Sequence, residues 1–148
     1  MQNYPYILGN ILIVEDNEWD RLVAETLLKK EFNVDSVTNA TEALEAIEEC
    51  HYDIILMDIN LGSQSMDGIE LMQLIRSKPE FAHIKIFAVT AYADNKERFI
   101  ELGFDELYLK PVIKEEMSEA IFKALKYPSH KSHLRSHHRS AKKSYSYV

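Results

Sequence analysis

The chain has 148 residues, 46% hydrophobic and 28% charged, which suits a single compact core, and its lone cysteine, Cys50, excludes an internal disulfide framework. Its longest aliphatic runs, at residues 11–14 and 54–57, fall far short of the roughly 20 residues that span a bilayer, and the first nine residues lack the charge and apolar stretch of a signal peptide, so a cytoplasmic location is expected. Residues 1–127 hold all 24 acids and 12 of the 17 basic residues, whereas residues 128–148 hold five basic residues and no acid; the body disfavours nucleic-acid phosphates and the tail is a different kind of segment.

Residues 11–14 are continuously aliphatic and break at once into Glu15, Asp16 and Asn17, the pattern of a doubly covered strand running into a helix start. Trp19, Leu22, Val23, Thr26 and Leu27 then recur at helical spacing to about Phe32. Residues 34–37 predict a second strand closed by Asn39, and Ala40, Ala43, Leu44 and Ile47 line one face of a helix that Thr38 or Thr41 could cap, with Cys50 packing at its end. Residues 52–57 predict a third strand ending in Asp58. The loop over residues 59–67 contains Gly62, and Asp67 and Gly68 read as the turn into a helix carrying Ile69, Met72 and Ile75, with Pro79 beyond its end. Residues 84–89 predict a fourth strand ending in Thr90 and Ala91, followed by a weakly amphipathic helix from about Asn95 to Leu102 that stops at Gly103. Residues 106–109 predict a short fifth strand before Lys110 and Pro111. Ile113, Met117, Ala120, Ile121 and Ala124 then give a last helix its apolar stripe, and the Met and aromatic residues on helical faces are expected in the core. From Pro128 onward Ser, His, Lys and Arg predominate, which predicts a flexible tail and divides the chain into a domain at 1–127 and a basic Ser/His-rich tail at 128–148.

Five strands alternating with five helices predict an α/β fold with a parallel sheet covered on both faces, whose ligand site lies outside the carboxyl ends of the strands. Those ends carry Glu15, Asp16, Asp58, Thr90 and Lys110. Singly, each has a bland reading: Glu15 and Asp16 as acids at a helix start, Asp58 as a turn residue, Thr90 as a strand-end cap, Lys110 as a surface charge. Together, three converging carboxylates would repel one another unless a positive charge joined them. An all-oxygen cluster with few protein ligands suits Mg2+, Lys110 is placed to neutralise it further, and the Thr90 hydroxyl offers a donor to a bound anion. Carboxylate, divalent cation, lysine and hydroxyl describe a phosphoryl-transfer site in which the carboxylate attacks in line.

The segments ILIVEDN at 11–17, DIILMDINL at 53–61, MDGIEL at 66–71, FAVTAY at 87–92 and GFDELYLKP at 103–111, in that order, resemble the response-regulator receiver domain of two-component signalling. The resemblance covers about residues 8–126. It implies a flavodoxin-like doubly wound sheet of five parallel strands in the order 2-1-3-4-5 with five helices, Asp58 as the phosphorylated residue, Thr90 and Lys110 on the phosphoryl oxygens, and Mg2+ held by Glu15 (through water), Asp16, Asp58 and the backbone carbonyl of Asn60. It also implies a cis bond between Lys110 and Pro111. Two departures stand out. The loop after Asp58 is about two residues longer than the commonest spacing, and Leu107 occupies the position where the family usually has an aromatic residue that turns inward on activation; Tyr108 is one position off and points to the opposite sheet face.

These features predict a stand-alone receiver that takes its phosphoryl group from a sensor histidine kinase or histidine phosphotransfer protein and signals through a downstream protein target. It would have no DNA-binding domain and would catalyse only its own phosphorylation and dephosphorylation. Two alternatives belong to other classes. A degenerate receiver used as a docking module would lack one of the acidic, Asp, Thr or Lys positions, and all are present. An aspartate-nucleophile phosphatase of the haloacid-dehalogenase kind would need a second acid two residues after the nucleophile, where Asn60 stands.

Overall fold

A computed structural model describes residues 9–62, 66–92 and 95–126. Five strands, β1 (Asn10–Val14), β2 (Asn33–Val37), β3 (Ile54–Asp58), β4 (Lys85–Thr90) and β5 (Glu106–Leu109), alternate with the helices α1 (Glu18–Leu28), α2 (Ala40–Glu49), α3 (Gly68–Arg76), α4 (Lys96–Leu102) and α5 (Lys114–Lys126). All the strands run parallel in the order β2-β1-β3-β4-β5. β1 from Ile11 and β3 up to Met57 are unbroken apolar runs because both faces of each strand are covered: every residue of each is buried, Asn10 and Asp58 included.

Alternation along the strands splits the core in two. Leu12, Val14, Ile55, Met57, Ile86 and Ala88 face α2, α3 and α4, while Ile11, Ile13, Ile54, Leu56, Phe87 and Val89 face α1 and α5. Leu107 packs on the first side and Tyr108 on the second, where its ring lies 5.6 Å from that of Phe87. The opposite orientation expected for Tyr108 is therefore what the fold adopts.

Several local expectations are corrected. α1 ends at Leu28 rather than near Phe32, and Phe32 is buried beyond the helix. α2 is capped by Asn39, which accepts from the Glu42 N–H, while Thr38 donates its hydroxyl to the Glu42 carboxylate at 2.7 Å. Cys50 is exposed rather than packed. Trp19 is not a core residue, being 74% exposed, and Ile113 precedes α5 on the surface. The residues of α1 buried against the sheet are Ala24 and Leu28, and of the expected apolar face only Leu27 packs partly beside them. Among the described residues no helix is long and apolar enough to cross a membrane. The division at 127/128 and the tail lie outside the described residues.

Candidate active site

The carboxyl end of the sheet is where each strand stops and a polar side chain begins. The Glu15 N–H donates to the Val37 carbonyl at 3.0 Å, which carries the sheet one residue past β1 and buries the Glu15 side chain. Its carboxylate accepts from the Asn17 N–H at 3.1 Å, and its carbonyl from Arg21 Nη1 at 3.1 Å. Asn17 then caps α1, so Asp16 is left exposed between a buried acid and a helix start. Asp58 closes β3 opposite Val89, and only 5% of it is exposed. Its Oδ1 accepts from the Asn60 N–H at 3.1 Å.

Glu15, Asp16 and Asp58 each bring a carboxylate oxygen within 4.8 Å of the other two. Lys110 enters from the end of β5, its N–H bonded to the Thr90 carbonyl at 2.8 Å and its peptide bond to Pro111 cis, as expected. Its Nζ lies 2.5 Å from Glu15 Oε1, 3.1 Å from Asp20 Oδ2 and 3.4 Å from Asp58 Oδ1. Thr90, also buried, ends β4 between Asp58 and Lys110 in strand order, and its hydroxyl accepts from the Tyr92 N–H at 3.3 Å.

The charges do not balance. Burial pushes the Asp58 carboxyl up to about 7, the neighbouring Glu15 carboxyl adds to the rise, and Lys110 and the Asn60 N–H only partly oppose it. Burial also works against the Lys110 ammonium, but the bond to Glu15 and the charges of Asp58 and Glu15 outweigh it and hold its pKa above the ordinary lysine value. Three carboxylates in contact with one lysine leave negative charge in excess. Oxygen donors alone, two of them buried and one open to solvent, fit a hard divalent cation of the Mg2+ kind.

Two features escaped the sequence. One is Gly68, which the sequence places in a turn but where a Cβ would come within 2.1 Å of the Asp58 carbonyl, so the start of α3 lies directly on β3. Its signal was a glycine at the first position of a helix already capped by Asp67, where a better helix former would otherwise be expected. The other is Asp20, since nothing in its spacing points to a lysine 90 residues away. The loop after Asp58 turns at Gly62, whose φ is +68° and where a Cβ would come within 2.7 Å of Asp16 Oδ2.

Comparison with known proteins agrees with this geometry. The family described as "Response regulator receiver domain" matches residues 11–122. The polar-differentiation response regulator DivK of Brucella ovis is 32% identical over 115 residues, covering 76% of this chain and 92% of that protein. Hybrid signal transduction histidine kinase I of Dictyostelium discoideum is 36% identical over 121 residues, but these cover 75% of this chain and 7% of the kinase. Among solved structures, the receiver domain of a sensor histidine kinase from Pseudomonas aeruginosa, with a magnesium ion coordinated in its active-site cleft, is similar with a TM-score of 0.72 and 28% identity over 80% of this chain and 98% of that one.

Proposed function

Since the chain belongs to the response-regulator receiver family of two-component signalling, we propose that it accepts a phosphoryl group on Asp58 from a sensor histidine kinase or histidine phosphotransfer protein and signals by phosphorylation-dependent binding of a downstream protein. The observation that carries this reading is the buried Asp58 carboxylate set between an oxygen cluster and the Lys110 ammonium.

An Asp58 oxygen attacks phosphorus as the bond to the donor's nitrogen breaks, so the carboxylate must be ionised. Lys110 favours its charged form and then meets the phosphoryl oxygens, and the Thr90 hydroxyl donates to another of them. Glu15, Asp16, Asp58 and the Asn60 carbonyl would hold Mg2+. When bound, that ion supplies charge neutralisation at the phosphoryl oxygens. The chain acts on its own aspartate rather than turning over an independent substrate, and it does so in the cytoplasm. Apolar side chains exposed on α1, Trp19, Leu22 and Val23, support a protein as the donor, because Val23 lines the same cavity as Asp58 and Lys110.

Incubation with acetyl phosphate and Mg2+ should add one phosphate, lost in Asp58→Asn and in excess chelator. Undiminished labelling of that variant would refute Asp58 as the acceptor.

A further inference from the structure

Lys110 is shared by three carboxylates, and one of them has no part in the oxygen cluster. Glu15 and Asp58, at 2.5 and 3.4 Å from Nζ, are cluster members; Asp20, at 3.1 Å, is not. Asp20 sits in the first turn of α1 with its side chain 48% exposed, and it reaches across to the chain beyond β5. A cavity of about 90 Å³, lined by Lys110 itself with Ile13, Ala24, Leu56 and Val89, leaves room for the lysine to shift. The carboxylates therefore decide where Nζ rests.

We propose that Asp20 is a positioning residue that competes with the phosphoryl group on Asp58 for the Lys110 ammonium. The inference rests on the acceptor reading of Asp58. An ammonium already held by an anion outside the cluster gains less from a new anion, since part of its charge and one of its three N–H donors must first be withdrawn. Glu15 and Asp58 are tied to the cluster, so Asp20 is the contact that has to be exchanged. A helix-start role explains an acid in this turn, as the Asn17 cap on the Asp20 N–H also indicates, but not why its carboxylate faces Lys110.

Calorimetric titration of the full chain with beryllofluoride in Mg2+ tests this. Asp20→Asn should bind the phosphate mimic about two- to fivefold more tightly, the range expected when a partly exposed ion pair is removed. Asp20→Glu, which can still reach Lys110, should return to the parent affinity. Glu18→Gln removes an acid from the same turn that makes no contact with Lys110 and should change little. Damage to the start of α1 would weaken binding, the opposite sign. Unchanged or weaker binding by Asp20→Asn, or equal tightening by Glu18→Gln, would overturn the role of Asp20 and leave the acceptor reading standing. Failure of the parent both to bind beryllofluoride and to take phosphate from acetyl phosphate would overturn the acceptor reading, and this inference with it.

Discussion

Asp58 is buried, whereas the role proposed for it requires a charged carboxylate, and that conflict can be measured. Burial first, then the Glu15 carboxyl, raise it to about 7, against about 4 in an unfolded chain. A carboxyl whose pKa is higher in the folded state binds more protons folded than unfolded between those two values, so its effect on stability is absent below about pH 4 and becomes an increasing penalty as the pH rises toward 7. In the metal-free protein Asp58→Asn should therefore gain about 1–3 kcal/mol at pH 8 and almost nothing at pH 4. Urea unfolding of both proteins at the two pH values checks this, and a gain that does not grow with pH would show that the Asp58 charge is not under strain. Gly68 is constrained by space instead. The Cβ of Gly68→Ala would lie 2.1 Å from the Asp58 carbonyl and 2.9 Å from the Ile59 Cα, both backbone atoms with no rotamer to escape into. That substitution should cost about 1–3 kcal/mol and slow any phosphate uptake at Asp58, because α3 must back away from β3.

At the scale of elements, the proposed phosphorylation has a route to the surface through β4 and β5. Thr90 falls in phase with Ile86 and Ala88, toward the α3 and α4 side, and Leu107 packs on that same side. Tyr108, its pKa raised to about 12 by burial and then by the charges of Glu106 and Glu116, stays on the α5 side. A phosphoryl group that draws the Thr90 hydroxyl inward would vacate space that Leu107 can fill at little rotameric cost, yet leucine has no hydroxyl to exchange between two states. Thr90→Ala should uncouple phosphorylation from the α4 and α5 face, and Leu107→Tyr should alter the balance of states without preventing phosphate uptake. NMR shifts of residues 95–125 with and without beryllofluoride decide it: the same shift changes in Thr90→Ala and the parent would exclude a route through Thr90. The inner strands β1, β3 and β4 were legible because a sheet covered on both faces needs apolar runs there, and Glu15, Asp58 and Thr90 were legible as candidates because they sit where those runs end. Helix faces were less so. Trp19, Leu22 and Val23 have helical spacing, but spacing alone does not say that Ala24 and Leu28 form the buried stripe. Asp20 and Gly68 were illegible for another reason: their roles come from contacts with Lys110 and Asp58 that only the folded chain creates.

For the whole molecule the question is what the basic segment after residue 127 contributes to an acidic body. Among the described residues every buried hydrophobic side chain lies between Ile11 and Ile121, and the candidate site lies between Glu15 and Lys110. Deleting residues 128–148 thus removes no described part of the core or the site, but it takes five basic residues from a chain whose net charge is −7. The remaining body, with all 24 acids and 12 basic residues, repels itself more strongly, and that repulsion is screened over about 10 Å at 0.1 M salt and about 3 Å at 1 M. The truncated chain should melt a few degrees below the parent at low ionic strength and recover to within about 2 °C of it in 0.5 M salt, with Mg2+-dependent labelling of Asp58 intact at both. A deficit that persists in high salt cannot be charge repulsion. A persistent loss of more than about 10 °C, or a loss of phosphate uptake, would mean that residues 128–148 pack against the domain and contribute apolar contacts of their own.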